Sequence, residues 1–173
     1  RLEKIVKEKT IIFGNLPYNI SSQILVKVLK FKKWPPNFEN IIFMFQKELG
    51  EKILGKYLNS NYGRLSILSD YRLQCIKKFY VSQNCFIPRP KVTSMVILFK
   101  PKNKKIYNIE NLSNLEKVTN IFFSNKRKMI NKNLKKLLHI DEVNKIDQLN
   151  LNSRPSDLRP DYYYKITELY EKR

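Results

Sequence analysis

Ile11-Ile12-Phe13-Gly14-Asn15-Leu16-Pro17-Tyr18 is the stretch on which the reading of this sequence turns. The apolar run Ile11-Ile12-Phe13 stops at Gly14 and reads as a short buried strand. Asn15 to Asn19 follows as a loop, because Pro17 has no N–H with which to continue a ladder. The C-terminal end of a strand is where open α/β sheets bind ligands. The exocyclic amine of adenine is a poor nucleophile, since its lone pair is delocalised into the ring. Two acceptors aimed at its N–H groups draw the nitrogen toward a tetrahedral, more nucleophilic form. The side-chain oxygen of Asn15 and a backbone carbonyl, of Leu16 or Pro17, can supply them. Pro17 stiffens the loop by fixing its own φ, and Tyr18 offers a flat face on which an unstacked base can lie. The other reading of such a tetrapeptide is a plain turn; its place after an apolar strand favours a site.

Working outward, Ser21 or Ser22 is expected to cap a helix with Ile24, Leu25, Val28, Leu29 and Phe31 inward, broken by Trp34-Pro35-Pro36-Asn37. Ile41-Ile42-Phe43-Met44-Phe45 reads as a second strand, apolar throughout, as a parallel strand covered on both faces would be. Helices are expected over 47–54 and 64–73, with a polar, turn-rich segment between them. Residues 76–81 and 94–99 read as two strands of an antiparallel edge hairpin, joined by a proline-punctuated loop. After the basic linker 101–105 the pattern is helical over 111–123, 127–138, 142–149 and 162–170. The sequence thus divides into an α/β part, 1–102, and a small all-α part, 103–173.

The chain has 173 residues, 42% of them hydrophobic, enough for a genuine core. Its 34 Lys+Arg against 15 Asp+Glu give a net charge of +19, which favours polyanionic partners through phosphate contacts and counterion release. A bias of the whole composition toward Lys, Asn and Ile is the alternative source of that excess. No run reaches the roughly 18 apolar residues of a membrane span, so no membrane association is expected. Two cysteines at a spacing that fits no zinc motif and a single histidine point to no metal and a reducing compartment.

Phe86-Ile87-Pro88-Arg89-Pro90-Lys91-Val92 is a second constellation. Its prolines stiffen an extended backbone that either presents Phe86 to a pocket or packs it in the core, while Arg89 and Lys91 can meet phosphates. Lys126, Arg127, Lys128, Lys132, Lys135 and Lys136 lie within eleven residues that contain no acid. On a helix, Lys128, Lys132 and Lys135 fall near one face, opposite Ile130, Leu134, Leu137 and Leu138, and that basic face can follow an RNA backbone. The cluster Tyr162, Tyr163, Tyr164 and Tyr170 is read as packing of a last helix rather than base stacking. Cys85 is read as a small buried hydrophobe and His139 as a helix-end residue.

Gly14-Asn15-Leu16-Pro17-Tyr18-Asn19-Ile20-Ser21-Ser22 resembles the catalytic loop of the KsgA/Erm group of rRNA adenine dimethyltransferases. Met44-Phe45-Gln46-Lys47-Glu48, Tyr62-Gly63-Arg64-Leu65-Ser66, Phe86 through Ser94 and Phe123-Ser124-Asn125-Lys126-Arg127-Lys128 resemble further segments of that group, in the same order. The likeness runs from about residue 11 to about residue 138, with a weaker echo to the end. It implies a Rossmann-like class I methyltransferase fold, here its C-terminal portion, followed by a small helical RNA-binding domain. It also implies S-adenosyl-L-methionine as methyl donor. Asn15, Leu16, Pro17 and Tyr18 would hold and activate a flipped adenine, with Phe86 on its other face.

The expected function is dimethylation of adenine N6 at two adjacent adenines in a 3'-terminal hairpin of small-subunit rRNA. The partner would be rRNA within an immature pre-30S particle, and the enzyme a cytoplasmic monomer, or one of an organellar matrix in a eukaryote. Leu16 and Tyr62-Gly63-Arg64-Leu65-Ser66 favour this over an Erm-type enzyme acting on large-subunit rRNA. A non-catalytic nucleic-acid-binding relative, such as an organellar transcription factor, is the reading from a different class. One departure from the family pattern stands out. No G-x-G loop for the donor and no acid for its ribose are present, so beyond Asn15 the cofactor contacts are expected upstream of Arg1, and these residues alone are expected to be inactive.

Overall fold

The computed structural model describes residues 2–103 and 107–173. Residues 104–106, at the end of the expected basic linker, lie outside the described residues, as does Arg1. Contacts along the chain group it into two compact units, Arg1–Leu54 with Arg72–Lys104 and Gly55–Tyr71 with Lys105–Arg173. Among the described residues no helix is long and apolar enough to cross a membrane.

The first unit is built on a four-stranded sheet, β1 (Thr10–Asn15), β2 (Phe38–Gln46), β3 (Leu73–Val81) and β4 (Ser94–Pro101), in the order β1-β2-β4-β3. β1 and β2 are parallel, while β4 runs antiparallel to both β2 and β3. The expected antiparallel hairpin is therefore present, with β3 at the edge. A short helix α1 (Leu2–Ile5) precedes β1, α2 (Ser21–Leu29) links β1 to β2, and α3 (Lys47–Ile53) follows β2 directly. Leu25, Val28 and Leu29 of α2 and Ile53 of α3 are buried, as are Ile41, Phe43 and Phe45 of β2 and Met95, Ile97 and Phe99 of β4. Gly50 lets α3 lie close on the sheet: a Cβ there would stand 2.7 Å from the Met95 sulfur.

The other face of the sheet is open among the described residues, which corrects two expectations. Ile11 and Phe13, expected in a buried strand, are 54% and 76% exposed. Ile42 and Met44 on β2, expected to be covered, are half-buried. β1 has a neighbour on one side only, and no described helix packs over its Ile11–Phe13 face. The helix α2 begins without a serine cap: Ser21 lies inside its first turn and its hydroxyl donates to the Tyr18 carbonyl at 3.1 Å. The far end of α2 is closed by Arg72, whose guanidinium donates to the carbonyls of Leu29 and of Phe31 (2.7 Å) and sits 4.6 Å from the Trp34 ring centre. A cation on the free carbonyls at a helix C-terminus complements the helix dipole as well.

The second unit is helical: α4 (Arg64–Arg72, as far as Tyr71), α5 (Leu112–Phe123), α6 (Asn131–Leu134), α7 (Ile140–Val143) and α8 (Pro160–Glu171). The segment 55–71, placed in the α/β part by its position before β3, belongs here instead. The Tyr62 hydroxyl donates to the Leu158 carbonyl at 2.8 Å, and Tyr164 donates to the Ile67 carbonyl and is 2.9 Å from the Asp70 carboxylate. Burial first, and nearby carboxylates second, push the phenols of Tyr62 and Tyr164 well above their ordinary range, so both remain hydrogen-bond donors at neutral pH. Tyr163 and Tyr164 are buried packing residues, as expected, with Tyr163 against Phe122 and Phe123. His139 does flank a helix: its N–H donates to Glu142 at 2.7 Å, at the start of α7.

Replacing Arg72 with Met keeps much of the side-chain volume but leaves the Leu29 and Phe31 carbonyls without these donors. Urea denaturation is expected to show a loss of about 2–3 kcal/mol, the usual range for charge-assisted hydrogen bonds broken at a buried site.

Candidate functional site

β1 ends at Asn15, and the chain turns at once into α2 through Leu16-Pro17-Tyr18-Asn19-Ile20. Gly14, the last residue but one of β1, leaves room for its neighbours: a Cβ there would lie 2.8 Å from a Leu16 methyl and 3.2 Å from the Phe43 ring. Within the loop the Pro17 carbonyl accepts from the Ile20 N–H at 3.2 Å, and the Tyr18 carbonyl accepts from Ser21. Among the described residues no hydrogen bond occupies the Asn15 side chain or the Leu16 carbonyl. Of the two backbone acceptors the sequence leaves open, Leu16 is thus the one that remains available.

The Tyr18 ring is fixed from across the sheet. Its hydroxyl is 2.6 Å from the hydroxyl of Ser94, which is fully buried at the first position of β4. Thr93, one residue earlier, accepts from the Lys47 N–H at 2.9 Å. These two contacts hold the end of the loop 82–93 against the ends of β1 and β2. Phe86, Pro88 and Pro90 of that loop then line one open cleft with Asn15, Leu16, Pro17, Tyr18 and Met44. Its volume is about 330 Å³, within the range of small-molecule and base sites. Among the described residues no carboxylate or cation lines it. It offers two flat rings, a stiff proline wall and amide acceptors, a set suited to gripping a planar heteroaromatic ring and polarising an amine on its edge.

Phe86 is half-buried and lines the cleft, so it takes the first of its two alternatives. Cys85 is exposed, because Gln83–Cys85 form a one-turn helix on the outside of the loop; the expected buried thiol is corrected. Arg89 and Lys91 are exposed on the same loop but do not line the cleft. With its amide oriented to satisfy both ends, Gln83 donates to the Pro90 carbonyl and accepts from Arg89, which braces the loop. Ser94 and Met44 stood in segments carrying the family resemblance, yet nothing local marked either as part of a site. Their place follows from pairing across the sheet, where Asn15 lies beside Met44 and Ser94 beside Gln46.

The basic run from Lys126 to Lys136 belongs to the second unit. Lys126, Arg127, Lys128, Lys132, Lys135 and Lys136 are all exposed, and among the described residues none has an ion-pair partner. The single helix expected over 127–138 is corrected. Residues 124–128 form turns and only Asn131–Leu134 are α-helical, because Ile130 donates to the Ser153 carbonyl instead of to the preceding turn. The apolar side is as expected: Ile130, Leu134, Leu137 and Leu138 are buried, leaving the cations outward.

The sequence model of the family "Ribosomal RNA adenine dimethylase" matches residues 3–172. A protein named ribosomal RNA small subunit methyltransferase A from Pelagibacter ubique is 41% identical over 174 residues, covering 96% of this chain and 64% of the relative. Its namesake from Zymomonas mobilis is 34% identical over 97% of this chain and 60% of its own length. The chain therefore spans less than two thirds of these relatives. Among solved structures, a dimethyladenosine transferase from Plasmodium falciparum superposes with a TM-score of 0.75 at 26% identity, over 94% of this chain and 66% of that one. The 23S rRNA methyltransferase ErmE superposes at 0.63 with 20% identity, over 95% of this chain and 66% of its own, a likeness of fold. The α/β unit thus has the Rossmann-like methyltransferase fold expected of it.

If the Tyr18–Ser94 bond fixes the ring, Tyr18→Phe and Ser94→Ala should each cost about 1 kcal/mol in urea denaturation. The double variant should cost no more than either single one. Additive losses would show that the two hydroxyls act separately.

Proposed function

Because this chain belongs to the ribosomal RNA adenine dimethylase family, we propose that its cleft holds and activates a flipped adenine of rRNA for methylation at N6. The substrate is read as two adjacent adenines in a 3'-terminal hairpin of small-subunit rRNA, each dimethylated during ribosome assembly. The observation that carries this is the meeting of Asn15, Leu16, Pro17, Tyr18 and Phe86, from two distant segments, in one cleft without carboxylates.

The chemistry needs little more from the protein than placement. Tyr18 and Phe86 take the two faces of the extruded base, replacing the stacking it loses on leaving the helix. Asn15 Oδ1 and the Leu16 carbonyl accept from the two amine hydrogens, so the nitrogen lone pair is freed from the ring and directed out of its plane. Pro17 keeps the two acceptors at a fixed spacing, which is an entropic advantage as much as an electrostatic one. The methyl donor, S-adenosyl-L-methionine, supplies an already activated methyl group. Of these residues Asn15 would meet its methyl end, while the 173 residues contain no G-x-G loop for its remainder. The proton shed by the amine is read as leaving to solvent through the open side of the cleft.

The helical unit is read as the RNA-binding part, with Lys126, Arg127, Lys128, Lys132, Lys135 and Lys136 along the phosphate backbone and Arg89 and Lys91 adding contacts from the α/β unit. The protein is read as acting as a monomer without a metal, in the cytoplasm or in an organellar matrix.

Methyl transfer should be assayed with the chain fused to the portion of a curated relative that it does not cover. Transfer to immature small subunits is expected; transfer only to naked large-subunit rRNA would assign the Erm-type activity instead. Asn15→Ala is expected to lower the rate at least 100-fold, roughly the effect of losing one preorganised acceptor or donor, with RNA affinity unchanged. A protein that binds RNA but never methylates it would be the non-catalytic relative. Replacing Lys126, Arg127 and Lys128 with Ala should flatten the dependence of log affinity on log salt by roughly 2–3, at about 0.7–0.9 per phosphate contact.

A further inference from the structure

The helical unit contains a second cleft, of about 450 Å³, that the reading above does not use. Three segments form it: Tyr107, the loop 145–148 after α7, and the first turn and a half of α8 from Arg159 to Lys165. Its aromatic walls are held in place before any ligand arrives. The Tyr162 hydroxyl donates to the Gln148 carbonyl at 3.1 Å, which ties that ring to a loop whose Gln148 is in the left-handed region at φ 56°. The Tyr107 ring lies 5.4 Å from the buried Tyr164, and its carbonyl accepts from the Tyr71 hydroxyl at 2.9 Å. The Arg159 guanidinium lies 5.8 Å from the Tyr162 ring centre, close enough for a cation–π contact. Among the described residues, neither Lys145 nor Arg159 has an ion-pair partner, and Lys165 is shared with Glu168 at 3.7 Å. Asp147 and Asp161 add two carboxylates to the same lining.

This set excludes several occupants. An acidic peptide would meet Asp147 and Asp161, and an apolar ligand would bury charges without partners. A nucleotide satisfies every class of group present: rings for its base, cations for its phosphate, and acceptor-only carboxylates for N–H groups on the base edge. The carboxylates also choose among bases. Guanine presents two adjacent donors, N1–H and N2–H, to a single carboxylate, whereas adenine, cytosine and uracil place an acceptor beside their donor. We propose that this cleft binds one unpaired guanosine of a single-stranded RNA segment, with its base on the Tyr107 and Tyr162 rings, its edge on Asp161 or Asp147 and its phosphate at Lys145 and Arg159. The proposal rests on reading the helical unit as RNA-binding, and it adds a sequence preference to an interface otherwise made of phosphate contacts.

Fluorescence anisotropy with short oligouridines carrying one central guanosine or adenosine tests it on the chain. The guanosine probe should bind about tenfold tighter than the adenosine probe, within the range one stacked and hydrogen-bonded base contributes. Tyr162→Leu, and independently the exposed Arg159→Ala, should remove most of that gain, while Asp161→Asn combined with Asp147→Asn should abolish the guanosine preference and keep the salt-dependent background. Equal binding of both probes, or variants without effect on folded protein, overturns the proposal. Guanosine monophosphate binding as tightly as the oligonucleotide would assign the cleft to a free nucleotide and overturn the RNA part. Asn15→Ala should leave the affinity for the guanosine probe unchanged. The guanosine preference in a fused protein that never methylates therefore refutes the enzymatic reading alone, and methylation by that fusion without the preference refutes this site alone.

Discussion

The cleft depends on the direction of one strand. β1 and β2 run parallel and end together, at Asn15 and Gln46, whereas β4 runs the opposite way and begins beside Gln46, at Ser94. β3, antiparallel to β4, ends beside Ser94 at Val81. The connection 82–93 is therefore delivered to the very edge of the sheet where the β1–α2 loop emerges. Had β4 continued the parallel pattern, its entering loop and Phe86 would stand at the opposite end, some six residues of strand away from Tyr18. The buried Ser94 hydroxyl then converts proximity into a fixed spacing by holding Tyr18 from the first residue of the reversed strand.

That geometry suits the proposed amine chemistry to a cleft that, among the described residues, no carboxylate or cation lines. A general base would have to hold a charge or a shifted pKa in the cleft, and desolvating it would be costly. Amide acceptors have no such requirement: they are neutral, always in the same state and fixed by the loop backbone. The acid-free basic run from Lys126 to Lys136 stands on exposed turns of the helical unit, where its solvation is not lost and its attraction reaches across a Debye length. On the proposed reading, gripping a base in the cleft and meeting phosphates along that run make opposite demands on the dielectric.

The helical unit shows a comparable division between side chains that pack and side chains that face outward. Tyr163 and Tyr164, adjacent to Tyr162, carry buried hydroxyls that donate to the backbone of Pro155 and Ile67. One position earlier the same residue type is half-exposed beside Arg159. Helical geometry alone decides this, since neighbouring positions differ by about 100° around the axis, and a run of identical residues is sorted into core and surface.

Much of the site was legible in the sequence. Pro17 and the apolar run before Asn15 marked a strand end and a rigid loop, and the ordered segments marked the family, because both signals are local and sit within a few residues of each other. The strands and most helices followed from periodicity for the same reason. What sequence could not decide was anything set by pairing between distant segments. Ser94 became the partner of Tyr18 only through the β2–β4 register; 55–71 joined the helical unit through hydroxyls on Tyr62 and Tyr164; and the 127–138 helix shortened because Ile130 found the Ser153 carbonyl. Burial of Ile11 and Phe13 was likewise undetermined, since hydrophobicity says that a side chain is better off covered and not whether the described residues cover it. The sequence by itself therefore determined where the strand ends and which groups the Asn15–Tyr18 loop carries, and tertiary structure decided which distant groups stand beside it, because local propensity acts over a few residues and hydrogen-bond register acts over many.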